Sequence, residues 1–171
     1  MNPRIGKNVT LRHPTFEEVD YIKHLWACPE TNKHLGGPYT MQDGRAWYER
    51  WVEPGEPSRC YFLVVNREGE PVGEICYHSF DLETGTAYLG MKIEAPHQGR
   101  KYASVALQLF TEHFFLERGG RLLLDDIALD NVPGQQALLK FGFEHDASVT
   151  DVFLVKLTNE RFLEKKTTQS S

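Results

Sequence analysis

The sequence predicts a mixed α+β fold, α/β in the sense of a single mixed sheet. It is one domain over residues 1–171, with a central, mostly antiparallel sheet of six to seven strands flanked by about four helices. Three observations predict it. A chain of 171 residues is long enough to bury one core by itself. Apolar periodicity switches between strand-like and helix-like spacing in the order β-α-α-β-β-β-α-β-α-β-β. The middle strands follow one another as hairpins, whereas a later helix joins two strands as a β-α-β unit, so the sheet is mixed and has helices on both faces.

Each element has its own signal. "NVTLRH" alternates and predicts a strand at about Val9 to His13. "PTFEEVDYIKHLW" predicts a helix: Thr15 can cap it, Glu18 stands three residues on as a capping box requires, and Phe16, Val19, Ile22 and Trp26 form one stripe. "CPETNKHLGGPYT" is dense in Pro, Gly and polar residues and predicts a loop. Thr40 with Asp43 resembles another cap, opening a helix through "MQDGRAWYERWV". "CYFLVV" and "PVGEICYHSF", joined by "NREGE", predict two strands, and "TAYLGMKI" a third. A helix follows from about Ser104 to Arg118, with Ala103, Leu107, Phe110 and Phe114 as its stripe and Gly119–Gly120 as its stop. "RLLLDDIAL" predicts a strand, "DNVPGQQALLKFGF" a short helix closing on Gly142, and "SVTDVFLVKL" the last strand or strands. "TNERFLEKK" predicts a terminal helix and residues 166–171 a disordered tail.

Composition narrows the function classes. Hydrophobic content of 40% and charged content of 25% are those of a soluble globular protein. A net charge of −5 argues against a general nucleic-acid binder, which needs a basic face. No apolar run approaches the roughly 18 residues of a membrane span, and "MNPRIGKNVTLRH" has no apolar signal core, so a cytoplasmic location is expected. Cys28, Cys60 and Cys76 are odd in number and far apart, which predicts buried free thiols rather than disulfides or a zinc site. The histidines show no H-x-x-x-H spacing, so no metal is expected.

The stretch "EAPHQGRKYASVALQLF" carries the chemistry. A strand that ends in a loop and turns into a helix aims backbone N–H groups at one point, where the helix dipole adds positive charge. Pyrophosphate is the natural guest. The donors would be the amides of Gln98, Gly99, Arg100, Lys101, Tyr102, Ala103 and Ser104, with Arg100 and Lys101 as nearby charges. Neither a P-loop nor a dinucleotide loop matches, since only Gly99 is present.

"LGMKIEAPHQGRKYASVALQLF" resembles the acetyl-CoA signature of the GNAT superfamily of N-acetyltransferases: Gln or Arg, two variable residues, Gly, one variable residue, then Gly or Ala. Gln98 and Ala103 match its ends; Lys101 stands where the central glycine is usual. Downstream, "LDNVPGQQALLKFGF" resembles the second family block through Asn131, Lys140, Gly142 and Phe143. The N-terminal "VTLRHPTFEEVDYIKHLW" and "GGPYTMQDGRAWYERWV" look like the branch that holds ribosomal-protein N-terminal acetyltransferases and their small-molecule relatives. The element order fits over nearly the whole chain.

The resemblance implies transfer of an acetyl group from acetyl-CoA, as cosubstrate, to a primary amine of a small molecule or a protein N-terminus by direct attack. It implies that Met91 and Ile93 offer backbone groups to the pantetheine arm and that Asn131 bonds pantetheine or substrate. A lysine at position 101 would serve with negative φ. The acceptor pocket would lie between the N-terminal helices, with Tyr39 and Tyr88 in its wall and Glu49, Glu53 and Glu56 near Tyr39. Homodimer contacts through the last strands are common in the family. Candidate bases are Glu74, His78, Tyr88, Asp125 and Asp126, with Glu74 and Asp126 preferred. Asp125 and Asp126 must face opposite ways from one strand, and burial would raise the one that enters the cleft. Leu138 and Gly134 stand where the family often has Tyr and Ser. That departure leaves open a non-catalytic acyl-CoA-binding sensor or partner protein, and some other nucleotide-binding α/β protein is a third reading.

Overall fold

The computed structural model describes residues 2–169. An eight-stranded sheet in the order β1-β2-β3-β4-β5-β6-β8-β7 forms its centre. The strands are β1 (Arg4–Ile5), β2 (Val9–Arg12), β3 (Cys60–Asn66), β4 (Pro71–Asp81), β5 (Thr86–Ile93), β6 (Leu122–Ile127), β7 (Glu144–His145) and β8 (Phe153–Thr158). All neighbours pair antiparallel except β5 and β6. The count exceeds the expected six to seven because β1 and β7 have two residues each, too few for alternation to register.

Among the described residues six helices flank the sheet rather than about four: α1 (Val19–Ala27), α2 (Pro29–Asn32), α3 (Gly44–Trp51), α4 (Tyr102–Glu112), α5 (Val132–Phe141) and α6 (Asn159–Gln169). Helix α2 is a single turn inside the stretch read as loop, started by Pro29 at its first position. Asp43, not Thr40, caps α3, its carboxylate accepting from the Ala46 N–H at 3.0 Å. Glu18 accepts from the Thr15 N–H at 3.0 Å, but this box opens a 3₁₀ turn, Phe16–Glu18, ahead of α1. Helix α6 runs through Gln169, so most of the expected tail is helical; Ser170 and Ser171 lie outside the described residues. No helix among the described residues is long and apolar enough to cross a membrane.

Two cores sit on the two faces. One packs Val19 and Ile22 of α1 and Trp47 of α3 against Tyr61, Leu63, Val65 and Cys76. The larger packs Ala106, Leu107 and Phe110 of α4 against Phe62, Val64, Ile75, Tyr77, Leu89 and Leu123. The strict alternation of Tyr61, Leu63 and Val65 with Phe62 and Val64 explains why all of β3 is buried. Gly73 belongs to a close approach, because a side chain there would run into the Lys92 carbonyl. Of the cysteines, Cys60 and Cys76 are buried as expected and Cys28 is half-buried; all three are free.

Helix α4 ends in a π-helical turn, His113–Glu117, that buries His113. The His113 ring meets Phe62 edge-on at 5.2 Å, and its Nδ1 lies 3.1 Å from Glu117. Burial, then the nearby Arg4, Arg118 and His13, push its pKa down to about 4. The unfolded chain therefore takes up a proton between pH 6.5 and about 4 that the folded chain refuses. His113's contribution to stability is full above pH 6.5 and is lost as pH falls through that window, by roughly 3 kcal/mol. Thermal unfolding at pH 7 and pH 4.5 checks this: the drop in Tm on acidification should be smaller in a His113→Gln variant than in the parent.

Candidate active site

β5 and β6 pair in parallel only from Thr86↔Leu122 to Tyr88↔Leu124. Beyond that, β5 stays with β4 as far as Ile93 and β6 stays with β8 as far as Ile127. The two strands part, and the gap widens into a cleft of about 400 Å³ whose walls include Glu74, Met91, Lys92, Asp125, Asp126 and Asn131. The Glu94 N–H donates to the Val72 carbonyl at 2.8 Å. That bond turns the even-numbered backbone groups of β5 towards β4, so alternation turns those of Met91 and Ile93 to the open side.

Glu74 is only 8% exposed. Its Oε2 accepts from Trp26 Nε1 at 2.9 Å and from the Tyr61 hydroxyl. Lys92 is its direct cross-strand partner, and the Lys92 Nζ stands 5.9 Å from the ring centres of both Trp26 and Tyr39. Burial lowers the Lys92 pKa, with Glu74 and Cys76 pulling the other way. Tyr39 itself is exposed, and its N–H donates to the Trp26 carbonyl at 2.8 Å. Sequence reasoning placed Trp26 in the core and passed over Tyr61 and Lys92. Trp26 and Tyr61 meet at Glu74, and Lys92 comes opposite it, only through the registers of β3, β4 and β5, which no local pattern reveals.

Asp125 and Asp126 do face opposite ways. Alternation puts Asp125 with Leu123 and Ile127, on the face covered by α4 and α5. Asp126 falls with Leu124, whose partner Tyr88 stacks on His78 at 5.7 Å. Desolvation, then the charge of Asp126, raise Asp125 to about 7. His78 is shifted down by burial and by Arg59; its Nδ1 lies 2.9 Å from Ser79 Oγ. Neither His78 nor Tyr88 is among the cleft-lining residues. Asn131 caps α5, accepting from the Gly134 N–H at 3.1 Å. Leu138 is buried and lines the cleft from the Asp125 side.

The loop ahead of α4 is held by its own side chains. Gln98 Nε2 donates to the Ile93 carbonyl at 3.0 Å, and Ser104 Oγ donates to the Lys101 carbonyl at 3.1 Å. Asn8 Nδ2 donates to the Arg100 carbonyl at 3.3 Å. Tyr102 is buried, Ala103 half-buried, and Arg100 and Lys101 are exposed. Gly99 has φ 80°, and a Cβ built there meets nothing within 4 Å, so its front is open. Lys101 corrects the expectation of negative φ. It sits at φ 65°, ψ 16°, in the left-handed region a glycine would occupy, and it is the N-cap of α4. Of the acidic residues expected near Tyr39, Glu56 pairs with Arg59 at 2.9 Å and lines a separate cavity with His13 and Arg59.

Known proteins resemble this chain at three levels. A protein of Bacillus licheniformis described as the uncharacterized N-acetyltransferase p20 is 23% identical over 150 residues, 85% of this chain and 84% of that protein. The spermidine N-acetyltransferase of Vibrio cholerae, solved in complex with CoA and spermine, superposes with a TM-score of 0.81 at 16% identity, covering 91% of this chain and 98% of that one. A GNAT-family acetyltransferase of Bacillus anthracis gives a TM-score of 0.77 at 18% identity, covering 93% and 99%. At these identities the two structures attest the fold. The acetyltransferase (GNAT) domain family matches residues 8–144, most of the sheet and every cleft-lining residue named above, and on that match the chain belongs to the GNAT acetyltransferases.

Proposed function

We propose that the protein transfers an acetyl group from acetyl-CoA to a primary amine by direct attack. The observation that carries this is the cleft between β5 and β6, with backbone groups on one wall and three carboxylates, Glu74, Asp125 and Asp126, around it. The residues present suit acetyl-CoA. Met91 and Ile93 present backbone groups to a pantetheine arm, and the open front of Gly99, with exposed Arg100 and Lys101, suits a diphosphate at the start of α4. The carboxylates favour a cationic amine, as does the spermine bound to the Vibrio cholerae neighbour. The resemblance of the N-terminal segments to the ribosomal-protein branch keeps peptide N-termini among the acceptors. A homodimer formed through the last strands belongs to the same reading.

In this mechanism Glu74 and Asp126 act on the acceptor side and receive the proton that the attacking amine gives up. Asp125 lies on the other face, beside Leu138, where α5 has no hydroxyl to offer. A carboxyl group held near 7 is protonated in about half of the molecules at neutral pH, and that fraction can hand its proton to the departing sulfur. The non-catalytic reading draws on the same Leu138 and Gly134, and one experiment separates the two. Calorimetric titration with acetyl-CoA, followed by CoA-thiol release across polyamines, amino acids and N-terminal peptides, should show binding and turnover. Binding without turnover on any amine would favour the non-catalytic protein, and absence of binding would remove both.

Two variants test the parts. If Asp125 acts as the acid, kcat at saturating acceptor falls as pH rises through about 7. Asp125→Asn should lower kcat by about tenfold to a hundredfold and flatten that alkaline limb; an unchanged limb would reassign the proton donor. Lys101→Gly relieves a left-handed non-glycine residue, which costs roughly 1–2 kcal/mol, against the extra chain entropy glycine loses. Tm should hold or rise slightly, while acetyl-CoA affinity drops most at low salt, where a lysine–phosphate attraction is least screened. Equal affinity at low and high salt would show that the ammonium does not meet the phosphates.

A further inference from the structure

The acceptor end of the cleft already contains an amine. We propose that Lys92 is itself an acceptor, and that the protein acetylates its own Lys92 side chain from acetyl-CoA. The inference rests on the transferase reading above, and the arrangement around Lys92 carries it further.

Lys92 lines the same cavity as Met91, Asp125 and Leu138. Its Nζ lies 5.9 Å from the ring centres of both Trp26 and Tyr39. Trp26 donates at the same time to Glu74, the cross-strand partner of Lys92. Two aromatic rings and one carboxylate are the groups that would receive a cationic acceptor from solution, and here a side chain of β5 reaches the two rings and stands on the strand position opposite the carboxylate. Lys92 follows Met91, whose backbone groups face the cleft, so nucleophile and thioester site are carried by adjacent residues of one strand. Such placement replaces a bimolecular encounter by an intramolecular one. Burial also favours the neutral amine over the ammonium.

The chemistry balances without a further reactant. The Nζ lone pair forms a bond to the acetyl carbonyl carbon, the C–S bond breaks, and its electron pair leaves with sulfur. Nζ releases one proton to Glu74 or to water, and CoA leaves as the thiol after taking up a proton. The products are acetylated Lys92 and free CoA. The neutral amide removes the cation from beside the two rings and occupies the place an external amine would take.

The full-length protein incubated with acetyl-CoA and no acceptor, then digested and examined by mass spectrometry, tests this. Lys92 should gain acetyl about tenfold faster or more than the exposed Lys7 and Lys33, which report background chemistry. Excess CoA should suppress labelling of Lys92 and leave that of Lys7 and Lys33 unchanged. An excess of an amine that the protein turns over should slow labelling of Lys92 in the same selective way. If Lys92 is labelled no faster than Lys7 and Lys33 in protein that acetylates an added amine, the inference is overturned and the transferase reading stands. If calorimetry shows no acetyl-CoA binding, both fall.

Discussion

Three residue pairs decide where this molecule can do chemistry. β5 and β6 share only the register from Thr86↔Leu122 to Tyr88↔Leu124 before each is drawn away by its other neighbour. β4 holds β5 as far as Ile93 and β8 holds β6 as far as Ile127. Two antiparallel blocks, each with its own accumulating twist, are thus joined by a short parallel seam. Backbone groups of β5 beyond Tyr88 on the open side lack a strand partner. Buried and unpaired they would each cost about 1–3 kcal/mol, so they require water or a ligand with alternating polar groups. The cleft follows from where the sheet stops pairing.

Glu74 fixes the outer wall of that cleft. A carboxylate buried next to an apolar core carries a desolvation penalty of several kcal/mol unless donors meet it. Trp26 of α1 and Tyr61 of β3 supply two donors from different elements. The same bonds therefore tie α1 to the sheet. Nearby, Asn32 gathers three carbonyls, those of Leu25, Trp26 and Cys28, through one buried amide nitrogen. Thr31 Oγ1 accepts from the Ala95 N–H at 3.0 Å, just where β5 leads into the loop before α4. Helix α1, the α2 turn and the exit of β5 are in this way joined by polar bonds, which hold the Trp26 ring beside Lys92.

The sequence made some of this legible and hid the rest for definite reasons. The unbroken apolar run "CYFLVV" and a helical stripe ending at Gly119–Gly120 placed β3 and α4 to within a few residues, because each pattern is local. The strand-to-helix loop was legible for the same reason: Gln98 to Ser104 are contiguous. Asp125 and Asp126 could be assigned to opposite faces by period alone, but which of them burial would raise depended on α5 covering one face. Trp26 satisfied the apolar stripe of α1 and was read as core, since a stripe cannot say that its indole N–H meets a carboxylate from β4. Tyr61 and Lys92 gave no signal, because the bond of Tyr61 to Glu74 and the place of Lys92 opposite it are set by two strand registers.

The two departures from the family pattern have a common physical form. At position 101 the backbone takes the left-handed turn that glycine would give, and a lysine pays the steric cost of about 1–2 kcal/mol while adding a charge beside the loop. At position 138 a hydroxyl is replaced by a buried leucine, while a carboxyl group near 7 lines the same cleft from the neighbouring strand. In both places the chain path that shapes the cleft is kept and the chemical group is moved: from backbone to side chain in the loop, and, in the proposed mechanism, from helix α5 to strand β6 for the acid. A motif records which residue stands at a position. The cleft requires a donor within reach of an atom, and residues on different elements can meet that requirement as long as β5 and β6 part at the same place.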